Sequence, residues 1–338
     1  MKLSIIVPVY NSSAHLQRCL DSLSVVQDLN KSDYEIIVIN DGSIDTTLQI
    51  LAKLKKSMPN LIVLNQLNQG VSVARNAGVK MAKGDYILFV DSDDTIAPNC
   101  LNAIYNKASV DNLDILFFKI AIFNDLGNYS HNYSNELLEH VIYEGIDCLN
   151  RGFVFALYRK ELVQKNYFVP SIAIAEDSLF NVMILSRSKR CGFLDTPVYN
   201  YIYVKESASR SGLRYSEKGF LSYTKGIDFL AQFVLKNFSV INSREKLFFD
   251  GYYLKTIKSI LDYNILPDMS VRRFLILKSI IKTNNLNHLN NSVAKSYLFF
   301  NSHWIIFFSA YYLKKIRISM RFRINLLINK IFALTKKK

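Results

Sequence analysis

Three aspartates follow one predicted strand of this chain within four positions. Asp91, Asp93 and Asp94 belong to the stretch FVDSDD, directly after a run of strand-forming residues. Aspartate is a poor strand residue, and like charges placed this close together repel one another. Two interpretations are open. The stretch is a polar turn that closes the strand, or its hard carboxylate oxygens, at a spacing of two, hold Mg²⁺ or Mn²⁺ against a phosphorylated ligand.

Two further carboxylates, Glu176 and Asp177, lie near the start of a predicted helix in IAEDSLFNVMILSRSK. The apolar residues at helical spacing predict a buried face made of Leu179, Phe180, Met183 and Ile184. Taken alone, Asp177 is typical of a helix N-cap. The alternative is a general base, because a carboxylate at a helix start is held in a fixed direction.

Asp41 is a third candidate, at the end of the predicted strand that precedes the turn NDGS. Its carboxylate can accept a hydrogen bond from the N–H of a base, and the N–H groups of Gly42 and Ser43 are available nearby. A turn-capping role is the alternative. The chain has no GxGxxG after its first strand and no GxxxxGK[ST] anywhere, which argues against a dinucleotide-binding fold and against a P-loop.

Alternating strands and helices must position these residues. The apolar, β-branched runs LSIIVPV, YEIIVIN, NLIVLN and DYILFV predict four buried strands. Helical spacing covers residues 15–26, 46–56 and 71–81. Asp45 or Thr46 is a candidate cap for the second helix, and Gly84 is a candidate stop signal after the third. The alternation predicts a parallel sheet with helices on both faces, and ligands of such sheets bind beyond the carboxyl ends of the strands.

The regular alternation ends at about residue 110. DILFFKIAIF predicts a strand, LEHVIYEGIDCLN a short helix, and GFVFALYRKELVQ a strand or turn that enters a helix. The strand ends of the first hundred residues therefore carry most of the candidate chemistry, and the carboxylate pair at 176–177 must reach them from the second part of the chain.

Composition sets the class of protein. The chain has 338 residues, 50% of them apolar and 13% aromatic, which excludes a disordered chain. Its four cysteines have neither CxxC spacing nor a histidine at ligand spacing, so we expect reduced cytoplasmic thiols and no disulfide framework or zinc site. The first apolar stretch is broken by Pro8 and is too short for a signal peptide, so we expect no export signal.

The excess positive charge is confined to the C-terminal end. The net charge is +14, and residues 269–338 contain fourteen Lys and Arg without one Asp or Glu. They also contain the uncharged aromatic run SYLFFNSHWIIFFSAYYL, which is too short and too polar at its centre for a membrane-spanning helix. We expect a surface-lying membrane anchor. A packed helical subdomain with a basic rim and a nucleic-acid-binding tail are the alternatives, and no nucleic-acid recognition motif accompanies the charge.

Ordered blocks of the first hundred residues match a known family. They read SIIVPVYNSSAHLQRCLDSL, IIVINDGSIDTTLQIL and NQGVSVARNAGVKMAKGDYILFVDSDD, and weaker likeness continues to about residue 215 through LYRKEL, AEDSLFN and PVYNYIY. The chain resembles the inverting family 2 glycosyltransferases with the GT-A fold, of the bacterial type that builds capsule, exopolysaccharide or O-antigen. The resemblance implies an α/β domain over 1–215, with nucleotide-sugar binding in 1–100 and the acceptor side in 101–215, and leaves 216–338 as a mostly helical, basic extension.

The resemblance also implies a role for each candidate residue. Asp41 would read the uracil ring, and Asp177 would be the general base, with Glu176 supporting it or touching the acceptor. Asp91 and Asp93 would hold the divalent cation, Mn²⁺ or Mg²⁺, that bridges the diphosphate. The implied donor-binding set is Pro8, Tyr10, Asn11, Asp41, Gly42, Arg75, Asp91 and Ser92. With these neighbours, the cation-site interpretation of FVDSDD is the one we adopt.

Two departures from the family affect this assignment. In PVYNYIYVKESAS the chain has Ile202 where related sequences often carry an arginine, so Lys205, Arg210 or Arg214 takes over its phosphate contact or the loop binds differently. The segment before LYRKEL reads GFVFA where the family usually has Trp or Asn. Because that segment tends to face the acceptor in the family, the identity of the acceptor is left open.

These features together predict a hexosyl- or N-acetylhexosaminyl-transferase, cytoplasmic and peripheral to the inner face of the cytoplasmic membrane. It would move a sugar from a UDP-sugar to a hydroxyl of a saccharide acceptor, lipid-linked as is common in the family, with no nucleic-acid partner. A sugar nucleotidyltransferase is one alternative, but the glycine-rich basic signature expected near its first strand is absent. A non-catalytic, membrane-associated interaction protein is another, against which the intact DSDD and ED motifs argue.

The tail generates a first prediction. Chain termination near residue 295 should release the protein from vesicles that contain anionic lipid, because it removes the aromatic run and nine of the tail's fourteen cations. Hydrolysis of the donor, whose predicted site lies in residues 1–215, should be spared. Salt should weaken the attachment of the full chain without abolishing it, since exposed charges are screened and buried aromatics are not. Co-sedimentation measures both effects, and a full-length protein that stays in the supernatant at low salt would contradict the anchor.

Overall fold

The structure is a computed structural model that describes residues 1–24, 28–123, 129–133, 143–144, 155–170, 172, 176–203 and 216–237. The chain forms two compact units, Met1–Leu230 and Ala231–Lys338, and only residues 231–237 of the second are described. The tail from 269 to 338, with its predicted anchor, therefore lies outside the described residues. Within the described ranges, no helix combines the length and the apolar character that crossing a bilayer requires.

The first half of the sheet is parallel, as the alternating pattern predicts. Its strands lie in the order β3-β2-β1-β4, and each neighbouring pair is parallel. The elements are β1 (Leu3–Val9), α1 (Leu16–Ser24), β2 (Tyr34–Asp41), α2 (Thr47–Ser57), β3 (Leu61–Gln66), α3 (Val71–Met81) and β4 (Tyr86–Phe89). The carboxyl ends of these strands meet at one edge, which brings the turns after β1, β2, β3 and β4 together.

Both faces of β1 are covered, because its side chains alternate and all of them are apolar or small. Leu3, Ile5 and Val7 pack in the core cluster that includes residues of α1, of α2 and of the later helix α4 (Leu101–Val110). Ile6 points the other way, towards Gly78 of α3. Strands buried on both faces are expected to be continuous apolar runs, and β1 is fully buried along its length.

The second half of the sheet is mixed. It extends the order as β4-β9-β6-β10-β5, with β9 antiparallel to both β4 and β6, and β10 parallel to β6. The elements are β5 (Thr95–Ile96), α4 (Leu101–Val110), β6 (Ile115–Phe123), β7 (Tyr129–Tyr133), β8 (Tyr143–Glu144), β9 (Ala156–Arg159), α5 (Lys160–Gln164), α6 (Glu176–Leu185), β10 (Arg190–Ile202) and α7 (Glu217–Asn237). The predicted strand in DILFFKIAIF and the strand-to-helix segment in ALYRKELVQ are confirmed.

The short helix predicted in LEHVIYEGIDCLN is wrong where the structure describes this segment. Tyr143 and Glu144 form the short strand β8, antiparallel to Arg190 and Cys191 of β10. Pairing with a neighbouring strand satisfies their backbone groups, and this tertiary contact overrides the weak helical spacing. The rest of the predicted helix lies outside the described residues.

The predicted helix caps are only partly as expected. Thr46 stands at the N-cap of α2 without a side-chain bond, whereas Asp45 Oδ1 accepts from the N–H of Thr47 at 3.0 Å. Gly84 does not end α3, whose C-cap is Ala82. Gly84 is instead required for close packing, because a Cβ there would lie 2.4 Å from the backbone carbon of Leu3.

A pair of glycine substitutions tests this packing. Gly84→Ala should lower stability by about 1–3 kcal/mol, because the added methyl group meets the backbone of β1, which cannot move aside. Gly226→Ala in α7 is the matched control: its Cβ would make an ordinary 3.5 Å contact with Leu179, and alanine favours a helix. Thermal unfolding measures both. Equal unfolding temperatures for the two variants would contradict the predicted close approach at Gly84.

Candidate active site

The turns after β1 and β2 are joined by hydrogen bonds at the carboxyl edge of the sheet. The N–H of Asn11 donates to Ser43 Oγ at 2.9 Å, and Asn11 Oδ1 accepts from the N–H of Ile44 at 2.9 Å. Next to them, the N–H of Ser12 donates to Thr47 Oγ1 at 3.0 Å. Asn11 has a φ of 49°, a conformation that Asn tolerates better than most residues. Asn11 therefore joins the turn after β1 to the turn after β2.

The remaining candidates of these two turns are placed differently. Pro8 is buried within β1 opposite Ile39 of β2, so its side chain belongs to the sheet. Tyr10 is 48% exposed at the end of β1, where its ring is available to a ligand. Gly42 has a φ of 74°, and a Cβ there would lie 2.8 Å from the backbone nitrogen of Asn68. Glycine is needed at 42 because both its conformation and its neighbour exclude a side chain.

Asp41 is buried, and both of its carboxylate oxygens accept hydrogen bonds from the chain. Oδ1 accepts from Gln66 Nε2 at 2.7 Å and from the N–H of Gln69 at 2.9 Å. Oδ2 accepts from the N–H of Gly70 at 2.8 Å. These bonds fix the loop that enters α3. A carboxylate oxygen has more than one acceptor direction, so Oδ2 keeps the capacity for one further donor.

Residues 91–94, which we call the metal loop because Asp91 and Asp93 are the predicted cation ligands, follow β4 and are contacted from the first turn and from α1. Ser92 Oγ lies 2.7 Å from Ser12 Oγ. Arg18 Nη2 donates to the carbonyl oxygen of Asp93 at 2.8 Å. The side chains of Asp91 and Asp93 are only partly buried, so part of each carboxylate remains accessible.

Asp94, the third aspartate of the loop, differs from the other two because both of its oxygens are engaged within the fold. It is 1% exposed, and its oxygens accept from the hydroxyl of Tyr199 and from the N–H of Ile202, both at 2.8 Å. Burial, followed by the charges of Asp91 and Asp93, raises its pKa to about 8. The three carboxyl groups of FVDSDD therefore divide into two that are partly accessible and one that is buried and holds the loop.

Arg75 of α3 joins the metal loop to the carboxylate pair that sequence analysis placed on the acceptor side. Its side chain is 5% exposed, with Nη2 2.9 Å from Asp91 Oδ1 and Nη1 3.1 Å from Glu176 Oε1. Charge-assisted bonds of this kind are the stronger class of hydrogen bond. Arg75 Nε is buried without an acceptor among the described residues. One guanidinium thus connects two motifs that are far apart in the sequence.

The guanidinium of Arg75 is supported from below by an aromatic ring. Its Cζ lies 5.0 Å from the ring centroid of Phe168, and that ring is stacked at 4.0 Å on Phe180 of α6. Asn76, the neighbour of Arg75, holds the backbone of Phe168 by accepting from its N–H at 2.9 Å and donating to its carbonyl at 2.8 Å. The two bonds from Asn76 hold Phe168 in place, and the cation–π contact with Phe168 holds the guanidinium of Arg75 in turn.

Glu176 and Asp177 lie in the first turn of α6, which begins at Glu176. Asp177 is therefore inside the helix and is not its N-cap. Burial, followed by the charge of Asp177, raises the pKa of Glu176 to about 7, and the nearby Arg75 opposes this shift. The predicted helical face is confirmed, since Leu179, Phe180, Met183 and Ile184 are all buried.

The chemistry of the metal loop fits a hard divalent cation. Asp91 and Asp93 supply carboxylate oxygens, the donors that Mg²⁺ and Mn²⁺ prefer. Burial, followed by the charge of Asp91, raises the pKa of Asp93, so a nearby cation would relieve an unfavourable charge. In the described part of the chain, no three His, Cys, Asp or Glu side chains are grouped as a metal site by themselves.

Some residues of the site were missed by sequence analysis. Phe168 carries no motif, and its contact with Arg75 depends on a loop whose path only the fold determines. Tyr199 lies in the quoted PVYNYIY segment, but nothing in that segment indicates a partner 105 residues earlier. Arg18 follows the first turn on α1, and its bond to a backbone carbonyl has no sequence signal. The phosphate-contact candidates Lys205, Arg210 and Arg214 lie outside the described residues.

The chain is similar in sequence to known glycosyltransferases. The family described as Glycosyl transferase family 2 matches residues 4–181. The poly(ribitol-phosphate) beta-glucosyltransferase of Bacillus spizizenii is 34% identical over 225 residues, which are 64% of this chain and 34% of that protein. The poly(ribitol-phosphate) beta-N-acetylglucosaminyltransferase TarS of Staphylococcus aureus is 31% identical over 229 residues, 65% of this chain and 39% of TarS. This chain thus matches little more than a third of either relative.

Solved structures share the fold. Residues 1–349 of S. aureus TarS in complex with UDP-GlcNAc align with a TM-score of 0.69 and 22% identity, over 87% of this chain and 83% of that one. GalNAc-T7 with UDP, GalNAc and Mn²⁺ aligns with a TM-score of 0.54 and 14% identity, over 78% of this chain and 57% of that one. The predicted GT-A fold is confirmed by this likeness.

The position of Glu176 predicts a pH-dependent stability. Its folded-state pKa of about 7 is above the ordinary value of 4.5. Its contribution to stability is therefore complete below the ordinary value and is lost as the pH rises through the folded value. Glu176→Gln cannot ionise and should not suffer this loss. We expect the Tm of the variant, relative to wild type, to improve by roughly 3 °C between about pH 5 and about pH 8.

Thermal unfolding at the two pH values checks this expectation. Glu161→Gln, which changes an exposed glutamate of α5, is the matched control for the loss of one carboxylate. A Tm difference between Glu176→Gln and wild type that is the same at both pH values would contradict it.

Proposed function

This chain belongs to glycosyl transferase family 2, and we propose that it is an inverting enzyme that moves a sugar from a UDP-sugar to a hydroxyl of a saccharide acceptor. The observation that carries the proposal is the Arg75 bridge, which brings the metal loop and Glu176, the neighbour of the proposed base, to one guanidinium. A transferase needs its leaving-group site and its base on opposite sides of one reacting carbon. Arg75 binds a residue of the first and the residue next to the second.

The donor side of the site comprises the turns at the carboxyl edge of the sheet. Oδ2 of Asp41 can accept one more hydrogen bond, from an N–H of the base. Tyr10 has an exposed ring at the end of β1. Gly42 leaves the turn after β2 without a side chain, and Ser92 belongs to the metal loop. A UDP donor is supported by TarS, which has been crystallised with UDP-GlcNAc and with UDP.

The divalent cation, Mn²⁺ or Mg²⁺, would be held by Asp91 and Asp93. When bound, it stabilises the negative charge that builds on the diphosphate leaving group. Arg75 contributes a second positive charge beside Asp91, and its burial keeps that charge in one position. The GalNAc-T7 structure with Mn²⁺ supports a divalent cation in this fold.

Asp177 is the proposed general base. The acceptor hydroxyl transfers its proton to the Asp177 carboxylate as its oxygen attacks the anomeric carbon, and the bond from that carbon to the diphosphate oxygen breaks with its electron pair. One displacement inverts the anomeric centre, so no covalent nucleophile is needed. Glu176 positions this end of the site through its ion pair with Arg75.

The acceptor belongs to the synthesis of a cell-surface polysaccharide. Relatives named as poly(ribitol-phosphate) glycosyltransferases support a polymer of this kind. We propose that the acceptor is lipid-linked and that the enzyme works in the cytoplasm, peripheral to the inner leaflet of the cytoplasmic membrane. The support is the cationic, aromatic tail, which suits an anionic lipid surface.

Substitution of the base tests the function. Asp177→Asn should reduce sugar transfer by at least about a hundredfold, as expected for loss of a general base. The affinity for the donor should stay within a few-fold, because Asp177 faces the acceptor. The measurement is transfer and donor hydrolysis with a panel of nucleotide sugars, beside calorimetric binding of UDP.

Two controls accompany this experiment. Glu161→Gln on α5 changes an exposed carboxylate away from the site and should keep wild-type transfer. EDTA should stop turnover of the wild-type protein if the cation has the proposed role. Loss of UDP affinity in Asp177→Asn would show that Asp177 is structural, and the absence of turnover of every nucleotide sugar by wild type would refute the enzyme.

A further inference from the structure

We propose that Tyr199 and Asp94 are positioning residues that hold the metal loop against the end of β10 and thereby fix the carboxylates of Asp91 and Asp93. This inference rests on the proposed role of those two carboxylates in binding a divalent cation. It concerns residues that would not touch the cation, and it assigns a purpose to the third aspartate of FVDSDD.

The hydroxyl of Tyr199 makes two hydrogen bonds of opposite direction to the metal loop. It donates to Asp94 Oδ2 at 2.8 Å and accepts from the N–H of Asp91 at 3.1 Å. Tyr199 is fully buried, and its ring is packed against Phe155 with a centroid distance of 4.1 Å. The ring cannot turn away, so the hydroxyl is a fixed point for both ends of the loop.

Asp94 completes the attachment. Its Oδ1 accepts from the N–H of Ile202 at 2.8 Å, and its own N–H donates to the carbonyl of Asp91 at 3.0 Å. The loop from 91 to 94 is thus closed on itself and tied at two points to β10. The contact at residue 202 is made by the backbone N–H, so it does not depend on the isoleucine side chain.

Packing alone does not explain why residue 94 is an aspartate. A buried carboxylate beside two other aspartates is unfavourable, because desolvation and like charge both act against it. An aspartate side chain nevertheless has two oxygens on opposite sides of one planar group. Tyr199 and Ile202 bond one oxygen each. That geometry fixes the direction of the loop, which a neutral apolar residue would leave free.

Fixing the loop matters because of what a small divalent cation requires. Mg²⁺ and Mn²⁺ bind well only when their oxygen ligands are held near an octahedral arrangement. The loop is also contacted by Ser12 and by Arg18, the latter an exposed side chain. Among these contacts, the bond between Tyr199 and Asp94 is the one that is fully buried. Loss of outer contacts of this kind typically weakens metal binding 10- to 100-fold.

Tyr199→Phe in the full-length chain is the test, because it removes the hydroxyl and keeps the ring against Phe155. Mn²⁺ binding is measured in the presence of UDP by the loss of the paramagnetic resonance signal of free Mn²⁺. We expect binding to weaken by roughly tenfold or more. Tyr86→Phe is the matched control. Its buried hydroxyl also makes two bonds, to the carbonyls of Ala108 and Leu113 at 2.9 and 3.0 Å, away from the loop.

The two variants should lose similar thermal stability, but only Tyr199→Phe should lose Mn²⁺ affinity. Asp94→Asn should weaken Mn²⁺ binding in the same direction, and it decides the question if Tyr199→Phe does not fold. The double variant should bind Mn²⁺ about as weakly as the more affected single variant, since both single variants lose the bond between Tyr199 and Asp94.

Two results would overturn the inference in different ways. If wild type binds Mn²⁺ with UDP and Tyr199→Phe binds it equally well, the attachment is only structural. If wild type takes up no Mn²⁺ with UDP, the proposed metal site fails and this inference fails with it.

Discussion

Burial of the Arg75 guanidinium is the constraint around which the site is arranged, because a cation withdrawn from water needs carboxylate partners. Those partners are Asp91, directly after β4, and Glu176, at the start of α6. The pairing also has a fixed geometry. Nη1 and Nη2 of Arg75 belong to one planar group, so their positions set the separation of the Glu176 and Asp91 carboxylates. Phe168 supports the underside of that group. Removing either carboxylate would leave a buried charge partly unpaired.

The mixed sheet explains how residues so distant in sequence meet at one edge. The parallel strands β1 to β4 direct their following turns to a single edge, which gathers the donor side. β9 then runs antiparallel to β4, and β6 and β10 continue the sheet beyond it. This addition brings α6 beside α3 and the end of β10 beside the metal loop. Asp177, the proposed base, and Tyr199, which supports the metal loop, therefore both come from the part of the chain that follows the regular alternation of strands and helices.

Sequence alone was sufficient for much of this protein because its signals are local. Four apolar strand runs, the helical spacings between them and the helix around 176–185 follow from side-chain periodicity, and each is present in the structure. The motifs NDGS, ARNAG, DSDD and ED identified the family, which the match over residues 4–181 shows. The residue types at these positions restrict the chemistry whatever the fold around them, since carboxylates bind cations and accept protons.

Tertiary structure decided what depends on distance. The three aspartates of FVDSDD are equivalent in the sequence. Only the neighbourhood of β10 separates Asp94, which bonds Tyr199 and Ile202, from the two that stay partly accessible. In the same way, the helix predicted around residue 143 became a strand because β10 offered a partner. Periodicity reports which face of an element is buried, and it carries no information about which remote residue will lie opposite, because that is fixed by the packing of the whole chain.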